Sequence, residues 1–198
     1  MNNKLLGTIA MAGAPFLGID FFLNGGGFGG AAYEHTSQTG LFCLIYMSAW
    51  MCSIWGLLRA NAAGIDKGRY VLITQLIFLT IANSSNVYEI ISPETTSTSI
   101  FYNVMDMFWP ISNLFMIVTG ITILRARSIA GSPSFIPLMV GLWIPFSILM
   151  YFLIGDMNKI HHIVVGAYSA VAWMWLGYVV RSTPESFLAQ KSEGAKIF

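Results

Sequence analysis

The sequence predicts an all-α integral membrane protein, a six-helix up-and-down bundle with both termini on the cytoplasmic side. Three observations carry this. Of the 198 residues, 56% are hydrophobic and only 10% are charged, against roughly a quarter charged in a soluble domain. The apolar residues gather in six runs, each near the ~20 residues that cross a hydrocarbon core. With the amino terminus inside, Lys4, Arg59, Lys67, Arg69, Arg125, Arg127, Arg181, Lys191 and Lys196 all fall on one side of the threaded chain, and Lys159 alone on the other. Such an excess of Lys and Arg marks cytoplasmic loops.

The first span is expected over 5–23. Lys4 followed by Ala10, Ala12 and Ala14 weakly resembles a secretory leader, but apolar sequence runs on to Leu23, so a retained span is the better reading. The second and third spans are expected over 41–58 and 70–91, the fourth over 100–124, the fifth over 135–154 and the sixth over 160–180. Residues 182–198 form a short cytoplasmic tail, and the whole chain is one polytopic domain. Lipid offers no hydrogen-bond partners to bare backbone, so consecutive spans are helices, and short connections make neighbours antiparallel. Pro15, Pro110 and Pro145 lie inside spans one, four and five and should kink them. Trp55, Tyr70, Trp175 and Tyr178 fall at inner ends and Tyr88, Tyr102 and Tyr151 at outer ends, the depths that amphipathic rings favour.

Between the first two spans, Asn24 is followed by glycines at 25–27, 29 and 30, and then by Tyr33, Glu34 and His35. The run lacks the Lys-Ser/Thr ending of a phosphate-cradling loop and reads as a cover or spacer. Leu58-Arg59-Ala60 and Leu124-Arg125-Ala126 echo one another, as a repeated hairpin would or as two similar helix ends would.

Composition excludes some classes. A net charge of +1 with basic residues scattered at helix ends gives no nucleic-acid footprint. Cys43 and Cys52 share one helix, about 13 Å apart along its axis, and cannot pair. No nucleophile motif is present.

The informative residues are acids and histidines. Asp20, Glu34, Glu89, Glu94, Asp106 and Asp156, with His35, His161 and His162, map to the outer loops or the outer third of the spans. Ionisable groups within a membrane usually face the bundle interior or a cavity. Helical spacing lines up Asn83, Asn86 and Glu89 on span three, and Asn103, Asp106, Pro110 and Asn113 on span four. His162, Gly166, Ser169 and Trp173 share a stripe on span six, and Gly13, Phe16 and Asp20 on span one. Four spans could thus point polar groups at one outer cavity. Asp106, Glu89 and His162 are the candidate catalytic or proton-handling groups. Asp20, Asn86, Asn103, Asn113, His161, Ser169, Glu34 and His35 are the candidate ligand contacts.

Adjacent His161 and His162 diverge by about 100° on a helix and cannot share one ion, so no metal site is assigned, and no cofactor is identified. The expected function is a cell-membrane protein, in contact with the lipid bilayer, whose outward polar cavity binds or processes a lipid-like or small apolar molecule. One alternative is an accessory subunit of a larger membrane complex or a homo-oligomer, using Gly166 and Ala170 for close packing. The other is a transporter or ion pathway, which the apolar inner halves of the spans disfavour.

Overall fold

A computed structural model describes residues 2–24, 34–129, 132–154 and 159–183. The glycine-rich run, Tyr33, Asp156, Lys191 and Lys196 lie outside those residues. The described chain is all helical, in order α1 (Asn3–Gly13), α2 (Pro15–Asn24), α3 (Ser37–Arg59), α4 (Lys67–Ile91), α5 (Ile100–Asp106), α6 (Phe108–Ala126), α7 (Ile136–Gly141), α8 (Trp143–Ile154) and α9 (Lys159–Ser182). Five segments are long and apolar enough to cross a membrane: Asn3–Asn24, Ser37–Arg59, Lys67–Ile91, Ile100–Ala126 and Ile160–Ser182. A sixth is obtained if the bent pair Pro133–Gly141 and Trp143–Ile154 is one span.

The three breaks follow from proline chemistry. A proline removes one backbone donor and crowds the carbonyl four residues earlier. Pro15 begins α2 directly after the break at Ala14, and Pro110 and Pro145 each follow, by three residues, the breaks at Met107 and Leu142. Across Leu142 the chain bends by 58°. The break at Met107 makes Asp106 the last residue of α5, which matters below.

Sequential helices pack as a ring. α3 lies on α4, α4 on α6, α6 on α7, and α9 on α7 and α8; the ring closes through α1 and α2, which pack on both α9 and α3. Glycines set the close approaches. A Cβ on Gly7 would lie 2.5 Å from Cβ of Arg181, and one on Gly18 would lie 2.8 Å from the Gly166 carbonyl oxygen, so α1–α2 runs antiparallel to α9 along its whole length. Gly166, expected to face a partner helix, is therefore packed within the chain. Apart from Lys159 at the start of α9, the cations of the described residues gather at one end. Gly7 near Lys4 meets Arg181, Gly56 near Arg59 meets Val180, and Gly64 near Lys67 faces Ala126 beside Arg125. Glu34, Glu89, Glu94 and Asp106 occupy the opposite, acidic end.

Trp50, Trp143 and Trp173, each 1–2% exposed, form the centre with Met116, Leu79 and Leu176. The periphery is apolar too: Ile77, Phe101, Phe152, Leu153 and Val171 are all more than half exposed, as lipid-facing surface requires. Trp55, Tyr70, Trp175 and Tyr178 are exposed at the basic end. Tyr102, expected beside them in kind as an interface ring, is instead buried.

The echoed segments share a physical origin. Asn61 after Leu58-Arg59-Ala60 and Arg127 after Leu124-Arg125-Ala126 are both left-handed, with φ of 49° and 50°, the conformation that commonly ends a helix. Gly64 has φ of +90° with only Ala126 Cβ near, 3.9 Å from a built Cβ. Gly64→Ala should therefore lower stability through backbone strain alone, by about 1 kcal/mol, read as a small drop in Tm in lipid nanodiscs.

Candidate functional site

Glu89 sits one turn from the end of α4 and is 1% exposed. Side chains from three other segments converge on its carboxylate. The Thr39 hydroxyl donates to Oε1 at 2.6 Å, Nδ1 of His35 lies 3.0 Å from the same oxygen, and the Tyr102 hydroxyl donates to Oε2 at 3.3 Å. A buried carboxylate requires such compensation.

Local structure explains how each partner arrives. Thr36 caps α3: its hydroxyl accepts from the Thr39 N–H, while the Thr39 hydroxyl accepts from the Thr36 N–H, the reciprocal box that fixes a helix start. Gly40 follows, where a Cβ would stand 3.0 Å from the Asn86 carbonyl oxygen and from the Ile90 nitrogen. Its missing side chain lets α3 approach α4 closely enough for Thr39 to reach Glu89, and Ser37 donates to the Ile90 carbonyl across the same seam at 2.9 Å. Tyr102 comes from α5, where Ser99 caps the helix by accepting from the Tyr102 N–H. The His35 ring stands edge-on to the Tyr102 ring at 5.4 Å.

Asp106 is half-buried and within electrostatic reach of both Glu89 and His35. Among the described residues its carboxylate receives no hydrogen bond. The two acids thus differ in kind: Glu89 is held by Thr39, His35 and Tyr102, and Asp106 has no such partners among the described residues. His35, with a quarter of its side chain exposed, links the buried pair to solvent.

The other expected site residues fall elsewhere. Asn86 is tied between helices, donating to Met47 Sδ at 3.2 Å and to Asn83 Oδ1 at 3.0 Å, and Asn83 reaches Ser48 of α3; both act as interhelical glue. Asn103 and Glu34 are exposed. Asn113 is buried deeper, donating to the Trp109 carbonyl of its own helix. Asp20 is fully buried and accepts from Asn24 at 2.8 Å. Ser169 donates to the Gly166 carbonyl. His161 is buried with Nε2 3.2 Å from the Ser147 carbonyl oxygen, and the His162 ring stands edge-on to it with centroids 5.8 Å apart. The imidazole at the acid pair is accordingly His35 of the α3 approach, while His162 belongs to the α8–α9 side. Among the described residues no group of three His, Cys, Asp or Glu is arranged to hold a metal ion.

No protein-family model, curated protein or solved structure matches the chain. Its function has to be argued from this geometry. Thr39 and Tyr102 were not among the site residues expected from the sequence, where Tyr102 was read only as an interface ring. Thr39 carried a signal, the Thr-x-x-Thr spacing of Thr36 and Thr39 at a helix start. Tyr102 lies four residues before Asp106 on the same helix face, a spacing that could have joined it to the acids.

Proposed function

We propose that the chain is a multi-pass protein of the cell membrane, with its basic end in the cytoplasm. In this reading the Glu89, Asp106, His35 and Tyr102 cluster at the opposite end binds the head of a lipid-like molecule. The head is positively charged, such as an ammonium group, and its tail lies along the apolar flank of α5. The observation that carries the reading is the contrast between the two acids: Glu89 is buried and held by Thr39, His35 and Tyr102, while Asp106 beside it makes no hydrogen bond among the described residues. Glu89 keeps the pocket acidic and rigid, and Asp106 contacts the ligand. Ile100, Phe101, Val104 and Met107, all about half exposed or more, supply apolar surface next to it. A charged head beside partly desolvated carboxylates gains far more than it would in water.

Two features of the chain weigh against its alternatives. Gly166, the centre of the small-residue stripe that an accessory subunit would offer, lies against Gly18. Ionisable groups stay at the two ends of the bundle and do not line its depth, which an ion pathway would require.

Dodecylamine and dodecanol, added to the protein in nanodiscs, test the reading. Saturating dodecylamine should raise the Tm of the wild type by roughly 5–10 °C, since a ligand at about 100 times its Kd adds about 2.7 kcal/mol, and dodecanol should do much less. Asp106→Asn should keep the wild-type Tm without ligand and lose the response. An unchanged response in Asp106→Asn would overturn the reading.

A further inference from the structure

A second polar set lies deeper in the bundle, apart from the acid cluster. Trp50 and Ser53 of α3, Gln75 of α4, Ser112 and Asn113 of α6 and Trp173 of α9 are each 0–2% exposed. Each presents a buried polar atom with no hydrogen-bond partner among the described residues: the indole nitrogens of Trp50 and Trp173, the hydroxyls of Ser53 and Ser112, Oε1 of Gln75 and Oδ1 of Asn113. Counted at 1.5 Å per residue from the acidic ends of the spans, which for α6 means from Ile100 at the start of α5, all six fall between about 18 and 24 Å deep. They form one layer.

Contacts join most of the layer into a continuous chain. The Trp50 and Trp173 rings meet edge-on at 5.1 Å, Trp173 meets Trp143 at 6.5 Å, and Trp143 meets Trp109 at 5.3 Å. Asn113 donates to the Trp109 carbonyl at 3.0 Å, and Gln75 donates to the Ser112 carbonyl at 3.2 Å. Because both acceptors are backbone carbonyls, the amide nitrogens are the atoms that face them. The two amide oxygens are thereby turned away from those bonds, unpaired. Buried polar groups in native proteins are nearly always paired, and each exception calls for a physical account.

We propose that this layer is a second binding site, for a small, flat, uncharged molecule that carries both hydrogen-bond donors and acceptors. The chemistry of the lining selects each attribute. Indole N–H groups only donate, amide oxygens only accept, and hydroxyls do both, so the ligand must offer both kinds of group. The Lys, Arg, Asp and Glu side chains of the described residues sit toward the two ends of the bundle, so a charged ligand would enter the layer uncompensated. The linked rings of Trp50, Trp173, Trp143 and Trp109 run through the layer, and aromatic surface of this kind favours a planar molecule.

Benzamide, benzoate and toluene share a ring and differ in these attributes, and serve as probes on the full chain in nanodiscs. Benzamide at millimolar concentration should raise the Tm and quench tryptophan emission, and the other two should do neither. Trp50→Phe keeps a ring and removes one donor, and Asn113→Leu removes one acceptor; each should weaken benzamide binding about tenfold. Asp106→Asn should leave it unchanged, which separates this site from the acid cluster. Equal responses to the three probes, no response to benzamide, or full affinity in Trp50→Phe would overturn the proposal. If Asn113→Leu fails to fold, Trp50→Phe alone decides.

Discussion

Gly120→Ala is expected to be among the most damaging single substitutions in the protein. A Cβ at Gly120 would lie 2.6 Å from both Cα and N of Leu138, and one at Gly141 would lie 2.5 Å from the Ile117 nitrogen. These are backbone atoms, which cannot swing aside as the end of a side chain can, so α6 and α7 must separate. Overpacking of this kind costs about 3 kcal/mol, or a fall in Tm on the order of 10 °C for a chain of this size. Gly141→Ala should act similarly. The double variant should cost clearly less than the sum, because one separation of the two helices relieves both clashes. Additive losses would show that the two glycines do not serve one contact.

Glu89→Ala should be the most damaging change at the acidic end. It leaves Thr39 and Tyr102 without their acceptor and His35 without its partner. Hydrogen bonds between membrane helices average about 0.6 kcal/mol each, whereas breaking a buried charged pair costs about 3–5 kcal/mol. His35 is partly exposed, and solvent screening discounts its share. We expect about 2–3 kcal/mol in total. Glu89→Gln should cost about half of that, since one acceptor oxygen remains, and Tyr102→Phe should cost under about 1 kcal/mol, as its bond is the longest of the three. The order Glu89→Ala, Glu89→Gln, Tyr102→Phe in thermal unfolding is the check. Asp106→Asn should sit outside the series with little loss, because Asp106 holds nothing in place.

The helical class was legible because long apolar runs leave the backbone no other way to satisfy itself. The breaks at Met107 and Leu142 were legible from Pro110 and Pro145, whose effect is local. The stripe of Asn83, Asn86 and Glu89 lies on one unbroken helix, α4, whereas the stripe expected on span four is divided by the break at Met107, which leaves Asn103 and Asp106 on α5 and Asn113 on α6. Which spans adjoin was not legible. His162 and Glu89 were placed at the same depth, yet α9 packs on α1, α2, α3, α7 and α8, and ring order is a tertiary property that no stripe on a single helix encodes. The imidazole that does meet Glu89 comes from a segment just before α3, where no periodicity exists to read.

The basic-end half of the bundle shows a second limit. It was expected to be apolar, but Ser53 and Gln75 are buried there. Hydropathy averaged over a span hides single hydroxyls and amides, and a tryptophan counts as apolar although its N–H needs an acceptor. Tyr102 was obscured for a related reason: a ring near a helix end reads as an interface anchor unless its spacing to Asp106 is weighed first.

The central claim is that the bundle crosses a membrane with its basic end in the cytoplasm. With Cys43 and Cys52 replaced by alanine, single cysteines at the exposed positions Glu34 and Arg125 can be challenged in intact cells with a maleimide that does not cross membranes. Glu34→Cys should label at once, and Arg125→Cys only after the cells are lysed. Labelling of both before lysis, or of Arg125→Cys alone, would contradict the account.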